Sequence, residues 1–157
     1  MAARERMSAK DQEDGKGIRL LLVDDEAGFV DVLSNRLARR NFDVTKTYSG
    51  SEAIQALRRE DFDVAILDVK MEDMDGIEVL KVFKKMVPKM AVIMLTGHGS
   101  EQAARDGIEF GAFDYLMKPC DIKVLMQKLD AAMERRQDQI DKAIDAKTQD
   151  IILRHGE

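Results

Sequence analysis

Tryptophan is absent from the 157-residue chain, which holds only two tyrosines, two prolines and one cysteine. A single cysteine closes no internal disulfide, so a disulfide-stapled fold is excluded and a reducing cytoplasm is the expected compartment. No apolar run approaches the ~20 residues that span a bilayer, and the first residues lack the order of a secretory signal. Cations are not in excess either. Twenty-five Lys and Arg face 30 Asp and Glu, and the net charge of −5 argues against a nucleic-acid-binding surface. With 45% apolar and 35% charged residues, the composition is that of an ordinary globular protein. The length suits one full core rather than two. Cys120, after Pro119 at the end of an apolar segment, reads as a small packing residue rather than a reactive thiol.

Residues 1–17 are polar and mixed in charge, and read as a mobile leader. From Ile18 the pattern becomes short apolar runs alternating with amphipathic stretches. Ile18–Val23 is continuous and aliphatic, as in a strand covered on both faces. Phe29, Val30, Leu33 and Leu37 form one helical stripe. Phe42–Thr47 is a second strand, and Ser49 with Glu52 opens a helix as a capping box, with Ala53, Ile54 and Leu57 inward. Phe62–Leu67 is a third strand ending at Asp68. Gly76–Met86 is a helix with Ile77, Leu80 and Phe83 or Lys84 on its stripe, and Ala91–Leu95 is a strand ending at Thr96. Glu101–Phe110 is a helix closed by Gly111. Ala112–Met117 is a fifth strand ending at Lys118-Pro119, and a long helix begins near Asp121. The basic pairs Arg39-Arg40 and Lys84-Lys85 close helices, where cations suit the dipole. Five strand–helix pairs are what βαβ crossovers produce, so the fold class is α/β, a doubly wound parallel sheet.

In such sheets ligands bind beyond the carboxyl ends of the strands. The polar residues that end the apolar runs all fall there: Asp24 and Asp25, Asp68, Thr96 and Lys118. If the first and third strands are neighbours, three carboxylates share one pocket and raise each other's pKa unless compensated. Mg²⁺ is the natural compensator, because it takes oxygen ligands and leaves room for phosphate oxygens. Lys118 adds a fixed cation and Thr96 a hydroxyl. A carboxylate beside Mg²⁺ is a competent nucleophile toward phosphorus. Taken singly, each residue also reads as a helix cap or a loop residue; their coincidence on one edge, strand after strand, favours the pocket.

These residues resemble those of bacterial response-regulator receiver domains. The matching stretches are Leu20-Leu21-Leu22-Val23-Asp24-Asp25-Glu26, Val64-Ala65-Ile66-Leu67-Asp68-Val69-Lys70-Met71 and Met74-Asp75-Gly76. They continue with Val92-Ile93-Met94-Leu95-Thr96-Gly97 and Gly111-Ala112-Phe113-Asp114-Tyr115-Leu116-Met117-Lys118-Pro119. The resemblance covers roughly residues 18–135. It implies a flavodoxin-like sheet of order 2-1-3-4-5 flanked by five helices, with Asp68 as phosphoacceptor from a histidine kinase or histidine phosphotransfer protein. It further implies Mg²⁺ held by Asp24, Asp25, Asp68 and the Lys70 carbonyl, with Lys118 on the phosphoryl oxygen and a cis bond before Pro119. Thr96 and Tyr115 would be the switch pair that reshapes the surface of helix 4, strand 5 and helix 5. His98 reads as an exposed loop residue, and Lys70 as an influence on phosphate lifetime.

The expected organisation is a leader at 1–17, a receiver domain at 18–136 and a helical extension at 137–157. About 20 residues past the fifth helix are too few for a helix-turn-helix output domain. The output is therefore expected to be a protein–protein contact of a stand-alone receiver, with neither nucleic acid nor membrane engaged. A receiver fragment of a longer DNA-binding regulator would read the same way. The resemblance also allows a homodimer, through helix 4, strand 5 and helix 5 or through the C-terminal helix. Ile140, Ile144 and Ile151 extend the last helix's apolar face past polar gaps at Gln137 and Lys147, a weak seam for a coiled coil. A haloacid-dehalogenase-like phosphatase would end its first strand in Asp-x-Asp rather than Asp24-Asp25. A flavin-mononucleotide binder of the same fold would find its phosphate repelled by that acidic run. A receiver-shaped module working without phosphorylation is the remaining alternative.

Overall fold

The structure, a computed structural model, describes residues 17–155. Within them five strands alternate with five helices: β1 (Ile18–Val23), α1 (Ala27–Ala38), β2 (Phe42–Thr47), α2 (Gly50–Arg59), β3 (Val64–Asp68), α3 (Gly76–Met86), β4 (Ala91–Thr96), α4 (Glu101–Glu109), β5 (Asp114–Met117) and α5 (Ile122–His155). The strands form one parallel sheet in the order β2-β1-β3-β4-β5. This is the expected doubly wound, flavodoxin-like fold. Among the described residues, no helix is long and apolar enough to cross a membrane.

The period-2 geometry of strands divides the core in two. Leu21, Val23, Ala65, Leu67, Val92 and Met94 face one layer, shared with Ala53 and Leu57 of α2, Val79, Leu80 and Phe83 of α3 and Ala104 of α4. Leu20, Leu22, Val64, Ile66, Ile93 and Leu95 face the other, shared with Val30, Leu33 and Leu37 of α1 and Leu125, Leu129 and Ala132 of α5. Each of the buried Val, Leu, Ile, Met and Phe side chains stabilises the fold by about 1.5–3 kcal/mol. Both faces of β1, β3 and β4 are covered, which is why those runs are apolar without alternation.

Helix starts follow local chemistry. Ser49 accepts from the Glu52 N–H at 3.1 Å, while Glu52 reaches back to the Tyr48 N–H at 2.7 Å, one residue before the cap. Asp75 caps α3 through the Ile77 N–H at 2.9 Å, and Asp121 accepts from the Lys123 N–H at the start of α5. Some boundaries differ from expectation. β3 begins at Val64, because Asp63 turns its carboxylate to the Arg19 N–H; Phe62 is buried just before it. β5 begins at Asp114, because the Ala112 N–H is taken by the Gly107 carbonyl in the turn that ends α4. The inward face of α3 includes Val79, whereas Ile77 is half-buried. Likewise Phe29 is half-buried at the edge of the α1 stripe, and Ile54 is half-buried in α2.

The expected leader lies almost wholly outside the described residues. α5 runs unbroken through residues 136 and 137, where the extension was expected to begin. Its buried positions end with Ala132, and Ile144, Ile151, Ile152 and Leu153 are exposed.

Candidate functional site

Register sets the site. Val23 pairs with Leu67, so Asp24 and Asp68 emerge side by side from β1 and β3. Thr96 pairs with Met117, so Lys118 follows one step beyond β5. The chain turns back between β1 and β3, and their carboxyl ends frame the cleft that this reversal leaves open. Asp24 is fully buried and Asp68 is 5% exposed, while Asp25 is on the surface. One carboxylate oxygen from each lies within 4.8 Å of the other two.

Lys118 faces this group. Its Nζ lies 2.5 Å from Asp24 Oδ2, 2.9 Å from Glu26 Oε1 and 3.8 Å from Asp68 Oδ2. The ammonium also sits 4.5 Å from the centre of the Phe29 ring, so the α1 side of the pocket supplies a π face as well as charge. Burial pushes the Lys118 pKa down, but its contacts with Asp24 and Glu26 outweigh burial and raise it. Asp68 is under the opposite pressure. Burial first, then the Asp24 charge, push its carboxyl up to about 7, against the pull of Lys118 and the Lys70 N–H. That N–H lies 3.4 Å from Asp68 Oδ1.

Asp24 Oδ1 accepts from the Glu26 N–H at 3.0 Å. Its buried Oδ2 meets Lys118 as a charge contact but has no hydrogen bond of good geometry among the described residues. A buried carboxylate oxygen left in this condition, with two further carboxylates nearby, fits an oxygen-seeking cation. Asp24, Asp25 and Asp68 would hold Mg²⁺. The Lys70 backbone lies beside Asp68 and bridges to Asp75.

The walls are tied down from outside. Asp25 Oδ2 accepts from the Glu72 N–H at 3.0 Å, joining the β1 and β3 loops. Asp73 then accepts from the Gly50 and Ser51 N–H groups, both at 3.2 Å, and so caps α2 from the β3–α3 loop. Burial acts to raise the Asp73 pKa, but these bonds lower it overall. Gly76 closes the loop: a Cβ there would lie 2.3 Å from the Asp68 carbonyl oxygen, so only glycine fits.

Neither Thr96 nor Tyr115 hydrogen-bonds to the three carboxylates among the described residues. The Thr96 hydroxyl is buried, 2.7 Å from Ser100 Oγ and 3.2 Å from the Gly97 carbonyl oxygen. Tyr115 is half-buried against the α4 side of the core, and the Arg105 guanidinium lies against its hydroxyl. His98 is exposed. Cys120 is half-buried against the α1/α5 core, and burial pushes its thiol up to about 11, out of the reactive range.

The model of the response regulator receiver domain family matches residues 20–130. The chain belongs to that family. This receiver domain is 39% identical over 120 residues to the transcriptional regulatory protein GlrR of Escherichia coli, covering 76% of this chain and 27% of that protein. It is 36% identical over 134 residues to the DNA-binding transcriptional regulator NtrC of Klebsiella pneumoniae, covering 83% of this chain and 29% of the relative. Among solved structures it resembles a response regulator receiver domain protein from Clostridium thermocellum, with TM-score 0.73, 32% identity and coverage of 76% of this chain and 97% of that one. A CheY-like receiver domain protein from Methanospirillum hungatei gives TM-score 0.74 at 29% identity, covering 78% and 98%.

Sequence reasoning missed four members of this site. Glu26 lies in the acidic run, but its meeting with Lys118, 92 residues on, is tertiary. Asp73 caps a helix 22 residues before it in sequence, with no local signature. Ser100 holds Thr96 across the β4–α4 turn, and Arg105 covers Tyr115 from α4. Only Ser100, four residues after Thr96, was near enough to be found by spacing.

Proposed function

We propose that this receiver domain is a phosphorylation switch of a two-component system, with Asp68 as the acceptor. The observation that carries the reading is the convergence of Asp24, Asp25 and Asp68 within 4.8 Å, with the Lys118 ammonium 3.8 Å from Asp68. In the transfer, an Asp68 carboxylate oxygen forms a bond to phosphorus as the nitrogen–phosphorus bond of a kinase or phosphotransfer-protein phosphohistidine breaks. The leaving imidazole takes up a proton. Bound Mg²⁺ would supply charge neutralisation to the transferring oxygens. Lys118, drawn from Asp24 and Glu26 toward the new phosphoryl oxygen, would supply a second cation. Asp24 and Asp25 would hold the cation beside Asp68, and the Lys70 loop closes one side.

The signal then leaves through Thr96. Its hydroxyl, now on Ser100 and Gly97, would exchange those bonds for one to the phosphoryl group. Tyr115 would part from Arg105 and turn inward, changing the surface of α4, β5 and α5 that a partner protein reads. Such a change is a population shift driven by contacts made only in the phosphorylated state.

The test is intact mass after treatment with acetyl phosphate or phosphoramidate. A gain of about 80 Da, one phosphoryl group, is expected with Mg²⁺ and not without it. Asp68→Ala should show no gain. Absence of an adduct in the parent chain would favour a module that works without phosphorylation.

The comparisons support a second reading of the output. The chain spans 27% to 29% of the length of these two curated relatives, and both are named as transcriptional regulators. A receiver serving a longer DNA-binding regulator is therefore as well supported as a stand-alone one. Immunodetection of the native protein's size in cells separates the two.

A further inference from the structure

At the end of the sheet opposite the carboxylate pocket, a cavity of about 180 Å³ lies between the end of α3, the α4–β5 turn and α5. Lys84, Lys89, Arg135 and Arg136 line it, together with Phe113 and Gly111. Four cations around one hollow are notable in a chain of net charge −5. We propose that this cavity binds a small phosphate-bearing anion, bridged by Lys84, Lys89 and Arg135.

Charge bookkeeping points to a dianion. Arg136 is neutralised by Asp63, with its Nη2 3.2 Å from Asp63 Oδ1. Its Nε is buried with no hydrogen-bond partner among the described residues. Lys84, Lys89 and Arg135 form no ion pair among the described residues, so among these residues three positive charges line the hollow with no carboxylate paired to them. Lys84 is half-buried, and burial, then the Arg135 charge, lower its pKa. The Lys84 ammonium donates to the Pro88 and Met90 carbonyls at 2.8 and 2.9 Å. Two of its three protons are thereby used, which leaves one for the cavity.

The frame is built around this lysine. Gly111 has φ +106°, and a Cβ there would lie 3.1 Å from Lys84 Cγ, so the glycine makes room for the stem. Arg135 rests over the Phe113 ring, 5.7 Å from its centre, which holds the guanidinium plane at the rim. The volume corresponds to about six waters at liquid density, enough for a phosphate with a small organic part. Phosphate oxygens accept from several directions at once, which matches cations arriving from three elements better than a planar carboxylate does.

The experiment titrates the full ¹⁵N-labelled chain, in Mg²⁺-free buffer at matched ionic strength, with inorganic phosphate and with glycerol phosphate. Saturable amide shifts are expected at Ala91, Gly111 and Phe113. Lys89→Gln and Arg135→Gln lie at exposed positions and should keep the fold while weakening binding roughly tenfold each. Asp68→Asn should leave the affinity unchanged. The proposal is overturned if the shifts follow ionic strength alone, or if neither surface variant weakens them. Tighter binding in Asp68→Asn, which removes a negative charge beside Lys118, would place the anion in the carboxylate pocket and overturn it equally.

Discussion

Asp68 is held in a pocket whose burial and Asp24 charge favour its protonated form, with a pKa of about 7 against an ordinary 3.8. The folded chain therefore binds this proton more tightly than the unfolded chain. The resulting cost to stability is complete above the folded value near 7 and fades as pH falls from there toward 3.8. In chelator-treated buffer, Asp68→Asn should stabilise the protein by about 1–3 kcal/mol near pH 8. The gain should be clearly smaller near pH 5, and denaturant unfolding at the two pH values measures it. An equal gain at both would mean that Asp68 is not the titrating group. On the proposed reading Mg²⁺ would compete with the same proton, so millimolar Mg²⁺ should raise the melting temperature more near pH 8 than near pH 5.5. Lys118 carries the complementary risk. Lys118→Met leaves the fully buried Asp24 without its cation and should cost about 3–5 kcal/mol in the absence of Mg²⁺.

Elements matter here chiefly through their ends. The loop from β3 to α3 carries Asp68, the Lys70 backbone, the Asp73 cap on α2 and the Asp75 cap on α3. Gly76 closes it, with its N–H on the Val69 carbonyl at 2.8 Å. Gly76→Ala forces a Cβ into the Asp68 and Val69 carbonyls. It should destabilise the chain by about 3 kcal/mol or more and weaken Mg²⁺ binding, as read by denaturant unfolding and calorimetry. The capping signals of Ser49 with Glu52 were readable because they act within one turn. The reach of Asp73 to α2 was not, because hydrogen bonds between separate loops leave no periodic trace.

On the scale of the whole molecule, two apolar layers cover a five-stranded sheet, and α5 contributes to them only through its first three turns. Leu125, Leu129 and Ala132 are buried, whereas Ile151 is 58% and Leu153 77% exposed. A chain ending after Arg136 should keep its cooperative transition within a few degrees of the parent while losing helical signal in circular dichroism. Should the longer chain instead melt at temperatures that rise with protein concentration, the exposed isoleucines join copies of the chain. Dilution series of both chains decide between these outcomes.

The strands and helices themselves, the two-sided burial of β1, and the placing of Asp24, Asp68, Thr96 and Lys118 at strand ends were legible from hydrophobic period and position, whereas the strand order followed only from the family resemblance. The former features depend on local spacing, which sequence carries directly. Which partner each charge takes was settled only by tertiary packing. Lys118 lies nearer Asp24 and Glu26 than Asp68, Thr96 is held by Ser100, and four cations from α3, the segment after it and α5 surround one cavity. Contacts of that kind join residues tens of positions apart, and their geometry follows from how layers pack against the sheet rather than from any neighbouring residue.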